Sequence, residues 1–219
     1  MIVSDRARFV FIHNPKAAGT AVRRTLAPLD DASPAFWKFG FNFRLGRRID
    51  KAHLPLDDLA RAFPAAFAKL GAYRSFTFVR NPYQRTRSAF AEWCVRTGRK
   101  RKLADPDWAR SAFRDYVAAL DPTAVRSSPT WIHACPQHLF VFHRGVQACG
   151  RVGRTESFEA DYRSIADWIG VEPAPPAPLN ESARRGGGGR DWYDAASARR
   201  VSEFYAADFE LFGYDRAGP

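Results

Sequence analysis

The segment from Phe9 to Arg24 constrains the fold of this chain more than any other. It opens with a short run of β-branched and aromatic residues, 8–13, as expected of a buried strand. Asn14 and Pro15 break that run, and the residues after them fit a helix that continues to about Leu29. The segment therefore predicts a strand, a tight turn and a helix in direct succession.

Such a junction is a cradle for an anion, because the first amides of a helix have no partner within the helix. Gly19 lies in the turn, and Lys16 would add a mobile positive charge at the mouth of the cradle. The Gly-x-x-x-x-Gly-Lys-Ser/Thr spacing of the Walker loop is absent, since the lysine leads this turn instead of closing it. We therefore expect a phosphate-binding loop for a nucleotide other than ATP with magnesium.

A second junction of this kind follows later in the chain. Residues 73–79 predict a strand, Asn81 can cap the helix that follows, and Pro82 can begin it. Strands that alternate with helices predict an α/β fold in which helices cover both faces of a mostly parallel sheet. No internal repeat is present and no apolar run is long enough to span a bilayer, so we expect one domain over residues 1–219.

The two junctions predict a common ligand. The carboxyl ends of parallel strands open onto one edge of a sheet, so Lys16 and Arg80 could face the same molecule. Ser88 lies about two turns into the helix after Arg80. A hydroxyl beside a guanidinium suits a phosphate monoester, because the guanidinium binds two oxygens and the serine adds a donor. Alone, Arg80 would fit a surface residue or an ion-pair partner better; together with the first loop, it fits the phosphate site better.

The other segments predict further elements. An aromatic stretch, 29–48, contains Phe39, Phe41 and Phe43 at alternating positions; it fits a strand or a packed loop beside a pocket. The remaining predictions are a helix capped by Asp57 or Asp58 and ending near Leu70, a helix ending near Gly98, a helix over 108–120, strand-like runs over 138–142 and 151–155, and helices over 157–169 and 195–209.

Composition limits the function classes. Hydrophobic residues make up 46% of the chain, which argues against disorder. The net charge of +11 suggests a polyanionic partner, although an arginine-rich surface without such a partner remains the alternative. Three cysteines without Cys-x-x-Cys spacing predict neither a disulfide framework nor a zinc site. With no signal peptide visible, these features predict a cytoplasmic protein.

The motifs resemble those of the sulfotransferases that use 3′-phosphoadenosine 5′-phosphosulfate (PAPS), in particular the carbohydrate sulfotransferase-like branch with many bacterial members, sulfotransferase family 2. The resemblance extends from Phe9 to Tyr214. Residues 15–20 match the family's 5′-phosphosulfate loop, and residues 78–90 match its 3′-phosphate motif. Later matches occur at residues 137–140, 152–156, 179–182 and 208–214. The resemblance implies a three-layer fold like that of the P-loop NTPases.

The resemblance also implies roles for individual residues. The donor-binding residues would be Pro15, Lys16, Ala17, Ala18, Gly19, Thr20, Arg80, Ser88, Ser182, Arg184 and Arg185. Lys16 would stabilise charge on the leaving 5′-phosphate, Arg80 and Ser88 would bind the 3′-phosphate, and the adenosine bisphosphate PAP would be released. Gln84 stands where the family commonly has an acidic residue. The role of the Gly186–Gly189 run stays open.

The chemistry needs a base but no metal. His53 lies where related carbohydrate enzymes place their general base, and an imidazole can take a proton from a hydroxyl near neutral pH; a loop histidine without this role is the alternative. His13 suits a structural position, and His133, His138 and His143 are not spaced as a metal site. The expected partner is a carbohydrate or glycoconjugate, acidic ones included, with peripheral membrane contact left open and no nucleic acid. The competing functions are a P-loop kinase that uses ATP and magnesium, and a non-catalytic nucleic-acid binder.

Overall fold

A computed structural model describes residues 1–172 and 192–219. Within these ranges the α-helices are α1 (Gly19–Leu26), α2 (Leu56–Ala62), α3 (Pro64–Ala72), α4 (Pro82–Arg96), α5 (Pro106–Ala118), α6 (Ala124–Ser127), α7 (Phe158–Ile169), α8 (Ala195–Phe204) and α9 (Ala206–Phe212). The strands are β1 (Ile2–Ser4), β2 (Phe9–Phe11), β3 (Phe39–Asn42), β4 (Arg47–Asp50), β5 (Arg74–Val79), β6 (Phe142–His143), β7 (Val146–Gln147) and β8 (Arg151–Arg154). Short 3₁₀ helices cover Ala27–Leu29, Lys100–Ala104, Ile132–Ala134 and Gln137–Phe140.

The chain forms two compact units, and each is assembled from separate stretches of sequence. The described residues of the first unit are 1–79 and 137–172, and those of the second are 80–136 and 192–219. The first unit contains every strand of the described residues, whereas the second is helical. The single domain over residues 1–219 stays a prediction.

The sheet of the first unit has the strand order β1-β2-β5-β8. β2 pairs with β5 in parallel, β5 pairs with β8 in parallel, and β1 pairs with β2 antiparallel. The mostly parallel sheet predicted from the sequence is therefore confirmed. The edge strand β1 was not predicted, because three residues are too few to display an alternating pattern.

Helices flank this sheet on both faces. On one face, Phe9, Phe11, Phe76 and Phe78 form a buried core with residues of α1 and α7. Successive side chains of a strand point to opposite faces, so Ser75 faces the other way from Phe76. There its hydroxyl donates to the carbonyl of Leu70 in α3 at 3.0 Å. The α/β class is thus confirmed, whereas the specific likeness to P-loop NTPases stays a prediction.

Two predicted helices and one predicted helix cap differ in the structure. The helix expected to run to Leu70 is two helices, α2 and α3, because Pro64 lacks the amide hydrogen that a continuing helix needs. Pro55, and not Asp57 or Asp58, occupies the cap position of α2. The helix over 195–209 is interrupted at Tyr205, which separates α8 from α9.

The strand-like run over 138–142 is also corrected. Residues Gln137–Phe140 form a 3₁₀ helix, and only Phe142–His143 is extended, in the small hairpin of β6 and β7. Phe140 and Val141 are fully buried. The apolar run therefore reflects burial, which a short run cannot assign to strand or helix. The strand predicted over 151–155 is confirmed as β8.

Candidate functional site: two strand-to-helix junctions

The first junction has the backbone of an anion cradle. Lys16 has a φ of 63° and Ala18 a φ of 60°, so two residues with a Cβ atom adopt the left-handed conformation. Ala18 offers no side-chain acceptor to the first amides of α1, and the first turn contains no acidic residue. Lys16 is half-buried and Thr20 is exposed, whereas Pro15 and Ala17 are buried. The amides at the start of α1 are therefore directed to a position that suits an anion.

Gly19 is required by a close contact within this junction. A Cβ atom at Gly19 would lie 1.9 Å from Cδ2 and 2.0 Å from Nε2 of His13. The imidazole thus packs directly on the glycine backbone, and it also stacks on Phe11 with the ring centroids 5.9 Å apart. The sequence predicted Gly19 as a turn residue; its stricter role is to leave room for His13, which supports the loop from below as the expected structural histidine.

His53 lies next to this loop. Its Nδ1 donates to the carbonyl oxygen of His13 at 3.1 Å, and the two imidazole centroids are 4.3 Å apart in an edge-to-face arrangement. A carbonyl oxygen only accepts hydrogen bonds, so Nδ1 carries the hydrogen and the lone pair of the neutral ring is on Nε2. The structure therefore brings His53, 40 positions away in sequence from His13, to the first junction with a ring hydrogen on Nδ1; its role as the base stays a prediction.

Asn14 anchors the start of the loop, a role that the sequence did not indicate. Its Nδ2 donates to the carbonyl of Phe78 at 2.9 Å and to Oε1 of Gln137 at 3.3 Å. Both amide side chains are almost fully buried. In addition, the hydroxyl of Thr77 donates to the carbonyl of Ile12 at 2.7 Å. These bonds fix the carboxyl end of β2 to that of β5. The sequence feature that could have indicated this role is the position of Gln137 within residues 137–140, one of the later family motifs.

In the second junction Asn81 and Pro82 act as predicted. The side chain of Asn81 accepts hydrogen bonds from the amides of Tyr83 at 2.9 Å and Gln84 at 3.4 Å, and Pro82 is the first residue of α4. Tyr83 is buried against Phe209, with the ring centroids 5.0 Å apart. Much of this motif therefore starts and anchors the helix within the second unit.

Arg85 is the largest fully buried side chain of the described residues. Its guanidinium donates to the carbonyl of His133 at 3.0 Å and to that of Ala134 at 3.5 Å, and it lies 4.8 Å from the centroid of the Tyr205 ring. Burial raises the pKa of Tyr205 to about 12, so its hydroxyl stays neutral and donates to Ala134 at 2.7 Å. Arg85 is thus a structural arginine, and its spacing in the sequence gave no sign of this.

Arg80 and Ser88, the residues of the second motif expected to bind the 3′-phosphate, both reach solvent. Both are half-buried and Gln84 between them is exposed. Positions four apart lie on one side of a helix, so Gln84 and Ser88 share a face, and Arg80 precedes them in the same register. The Nε of Arg80 lies 3.4 Å from Oε1 of Gln84, the residue that replaces the family's acidic one. A guanidinium, an amide and a hydroxyl thus occur together at the start of α4.

The predicted site residues are distributed over both units. Residues 15–20 and His53 belong to the first unit, and Arg80 and Ser88 to the second; that they bind one ligand stays a prediction. Ser182, Arg184 and Arg185 lie outside the described residues, as does the Gly186–Gly189 run. Within 1–172 and 192–219, no three histidine, cysteine or acidic side chains are grouped as metal ligands. No helix in those ranges combines the length and apolarity needed to cross a membrane.

Comparison with known proteins gives one match. The model of the sulfotransferase family matches residues 1–215, which is almost the whole chain. It confirms the family 2-like assignment made from the two motifs. No curated protein and no solved structure matches the chain.

Proposed function

The chain belongs to the sulfotransferase family, and from that premise we propose that it transfers the sulfuryl group of PAPS to a hydroxyl of a carbohydrate or glycoconjugate. One observation carries the proposal: the left-handed turn at Lys16 and Ala18 opens α1 directly beside the imidazole pair of His13 and His53. A phosphate cradle and an adjacent base are the two parts that sulfuryl transfer needs.

The donor would be held by its two phosphate groups. Lys16, the amides of residues 17–20 and the hydroxyl of Thr20 would bind the 5′-phosphosulfate, since amides at a helix start and a lysine favour negative charge. Arg80 and Ser88 would bind the 3′-phosphate, for which a two-pronged guanidinium and a hydroxyl are suited. The late-chain residues Ser182, Arg184 and Arg185 belong to the same proposal. A fold like that of the P-loop NTPases fits this use of the carboxyl ends of β2 and β5.

In the reaction, the acceptor oxygen attacks sulfur and the bond between sulfur and the bridging oxygen of the 5′-phosphate breaks. His53 takes the hydroxyl proton at Nε2, while its Nδ1 hydrogen bond to His13 keeps the ring in that tautomer. Lys16 stabilises the charge that develops on the departing phosphate. The products are the sulfated acceptor and PAP, and no divalent ion takes part, because the transferred group carries less charge than a phosphoryl group.

The acceptor and the compartment are proposed on chemical grounds. A net charge of +11 favours acceptors with carboxylate or sulfate groups. Residues 97–108 would supply basic side chains and the Trp108 ring for sugar recognition. Cys94, Cys135 and Cys149 all lie in the described residues, where they are buried and form no disulfide, which suits a reducing compartment. We therefore propose cytoplasmic transfer.

The experiment is thermal unfolding with PAP, with 5′-AMP and with ATP plus magnesium. PAP at about 100 times its dissociation constant adds roughly 2.7 kcal/mol to the free energy of unfolding, which for a chain of this size raises Tm by about 5–10 °C. At equal concentrations 5′-AMP should give a much smaller shift, because it lacks the 3′-phosphate. Chelation of magnesium should leave both the PAP shift and the sulfuryl transfer unchanged.

Two variants locate the 3′-phosphate site. Arg80→Ala should reduce the PAP shift to that of 5′-AMP, whereas Arg110→Ala, which removes a surface arginine paired with Asp107, should keep the full difference. A shift that appears only with ATP and magnesium would favour a P-loop kinase over the proposed function. Binding to generic DNA with steep salt dependence, without any response to PAP, would favour the non-catalytic nucleic-acid binder.

A further inference from the structure

An exposed aromatic hairpin projects from the first unit. We define it as residues 37–51, which comprise β3, β4 and the turn that joins them. Directly opposed residues of an antiparallel pair share a face. The register pairs Phe41 with Arg48 on one face and Gly40 with Ile49 on the other. Ile49 is buried, whereas Phe41 and Arg48 are exposed, so the phenylalanine face is directed outward toward the turn; Asp50, opposite Phe39 at the other end of the hairpin, is buried.

The outward face is unusually apolar for a protein surface. Its exposed fractions are 45% for Phe39, 52% for Phe41 and 90% for Phe43, and the adjoining Trp37 is 43% exposed. These are four of the seven large apolar side chains exposed in the described residues. The rings of Phe41 and Phe43 lie 5.2 Å apart, edge to face. A contiguous exposed patch of this kind marks an interaction surface, whereas scattered apolar residues do not.

Cations accompany the rings in the hairpin: Arg48 shares the face of Phe41, whereas the Lys51 side chain lies beside Gly40 on the other face. Lys38, Arg44, Arg48 and Lys51 form no ion pair with any carboxylate of the described residues. The fifth cation, Arg47, lies on the inward face and is paired with Asp58. The hairpin therefore combines aromatic rings with uncompensated positive charge, and its charge complement is an anionic surface.

We propose that the aromatic hairpin docks this protein on an anionic lipid bilayer. Phenylalanine rings insert into the boundary between headgroups and acyl chains, while lysine and arginine extend their charged ends to lipid phosphates. A second copy of the chain is a poor occupant of this surface, because its hairpin carries the same positive charge. A soluble sugar would leave Phe43 in water, since this ring stands at the turn and is almost wholly exposed.

The test is flotation of the full chain with lipid vesicles, and it requires no turnover. Vesicles of phosphatidylcholine with about 30% phosphatidylglycerol, which have a strong negative surface potential, are compared with vesicles of phosphatidylcholine alone. The chain should float with the anionic vesicles and stay in solution with the neutral ones. The double variant Phe41→Ser with Phe43→Ser should bind at least about tenfold more weakly, because its apolar contact with the acyl boundary is gone.

A matched control removes two exposed apolar side chains elsewhere. Val146 and Leu211 are 69% and 49% exposed, and Val146→Ser with Leu211→Ser should bind like the wild type. Arg44→Glu with Arg48→Glu should abolish the preference for anionic vesicles. All these side chains are exposed, so the variants should keep the wild-type Tm, which is measured alongside.

Three results would overturn the proposal. The first is absence of flotation by the wild type, and the second is equal binding by the phenylalanine variant, which would mean nonspecific attraction of a basic protein. In the third, heparin oligosaccharides bind through Phe41 and Phe43 while vesicles do not, which would assign the hairpin to an acidic glycan. Because the readout is flotation, failure here leaves the PAP-dependent shift of Tm, and with it the proposed sulfuryl transfer, unaffected.

Discussion

The candidate site depends on contacts that involve very few atoms. His13 occupies the space that any Cβ atom at position 19 would need, and its carbonyl sets the hydrogen on Nδ1 of His53. The sequence predicted Gly19 and His53 as important and assigned His13 a structural role. It could not predict that the three are joined, because the contact of His53 with His13 spans 40 positions and depends on how the segment before α2 folds back.

The variant His53→Asn separates the hydrogen bond that His53 donates to His13 from its proposed role as the base. Its side-chain amide can still donate to the carbonyl of His13, so the fold and the PAP shift should be retained. It has no basic nitrogen, so turnover should fall by about 10²–10⁴-fold, the usual contribution of general-base catalysis. Sulfuryl transfer under saturating donor is the measurement, made on both proteins.

His143→Ala provides the matched control. This histidine also belongs to the first unit, where its Nδ1 lies 2.8 Å from Oδ1 of Asp57 and its ring packs edge to face on Phe67. Its removal should leave turnover within about twofold, because neither contact involves a residue proposed to bind the donor or to take the proton. If His53→Asn turned over normally, or if it lost PAP binding, His53 would be a binding or structural residue and not the base.

At the scale of elements, sequence patterns with a local cause were predicted best. Asn81 and Pro82 start α4, Gly170 ends α7 in the left-handed conformation, and β2, β5 and β8 form in the segments predicted as strands. Elements that depend on distant partners were missed or misplaced. The break between α8 and α9 is one example: it coincides with Tyr205, whose hydroxyl is fixed to Ala134, 71 positions earlier.

Arg85 also depends on partners that are distant in the sequence, and this gives a prediction about stability. Arg85→Met keeps an unbranched stem of similar length but removes the donors to the buried carbonyls of His133 and Ala134. The free energy of unfolding should fall by about 2–3 kcal/mol, since hydrogen bonds from a charged group contribute more than neutral ones and the carbonyls stay buried. Urea denaturation measures the change.

The matched control for Arg85→Met is Arg87→Met, on the same helix. Arg87 is half-buried and its guanidinium lies 5.2 Å from the centroid of the Trp192 ring. Losing this cation–π contact should cost no more than about 1 kcal/mol. Equal losses from the two variants would mean that Arg85 does not brace the second unit through its carbonyl contacts.

At the scale of the whole molecule, the sequence predicted the fold class but not the division of the chain into two compact units. The mostly parallel sheet and its flanking helices were expected, and they are present in the first unit. The assembly of each unit from two separate stretches was not expected, because no linker composition marks residue 79 or residue 136. The two phosphate motifs consequently belong to different units, although each directly follows a strand of the same sheet in the chain.

This division gives a prediction about amide hydrogen exchange. If PAP binds Lys16 and the start of α1 with its 5′-phosphate, and Arg80 and Ser88 with its 3′-phosphate, then PAP must slow exchange in both units. At about 100 times the dissociation constant, amides that exchange only from the unbound state should slow by up to about 100-fold. We expect this for residues 16–22 and for residues 80–88, measured by mass spectrometry of peptides.

The nucleotide 5′-AMP gives the discriminating comparison, because it offers only the 5′ group. It should slow amide exchange in residues 16–22 and leave exchange in residues 80–88 close to the rate in the unbound protein. The Arg80→Ala variant should show the same pattern when it binds PAP. Peptides from the surface helix α5 should not change with either nucleotide. Protection by PAP that stays within one unit would mean that the two motifs do not share a donor; the 3′-phosphate would then have to be bound by residues other than Arg80 and Ser88.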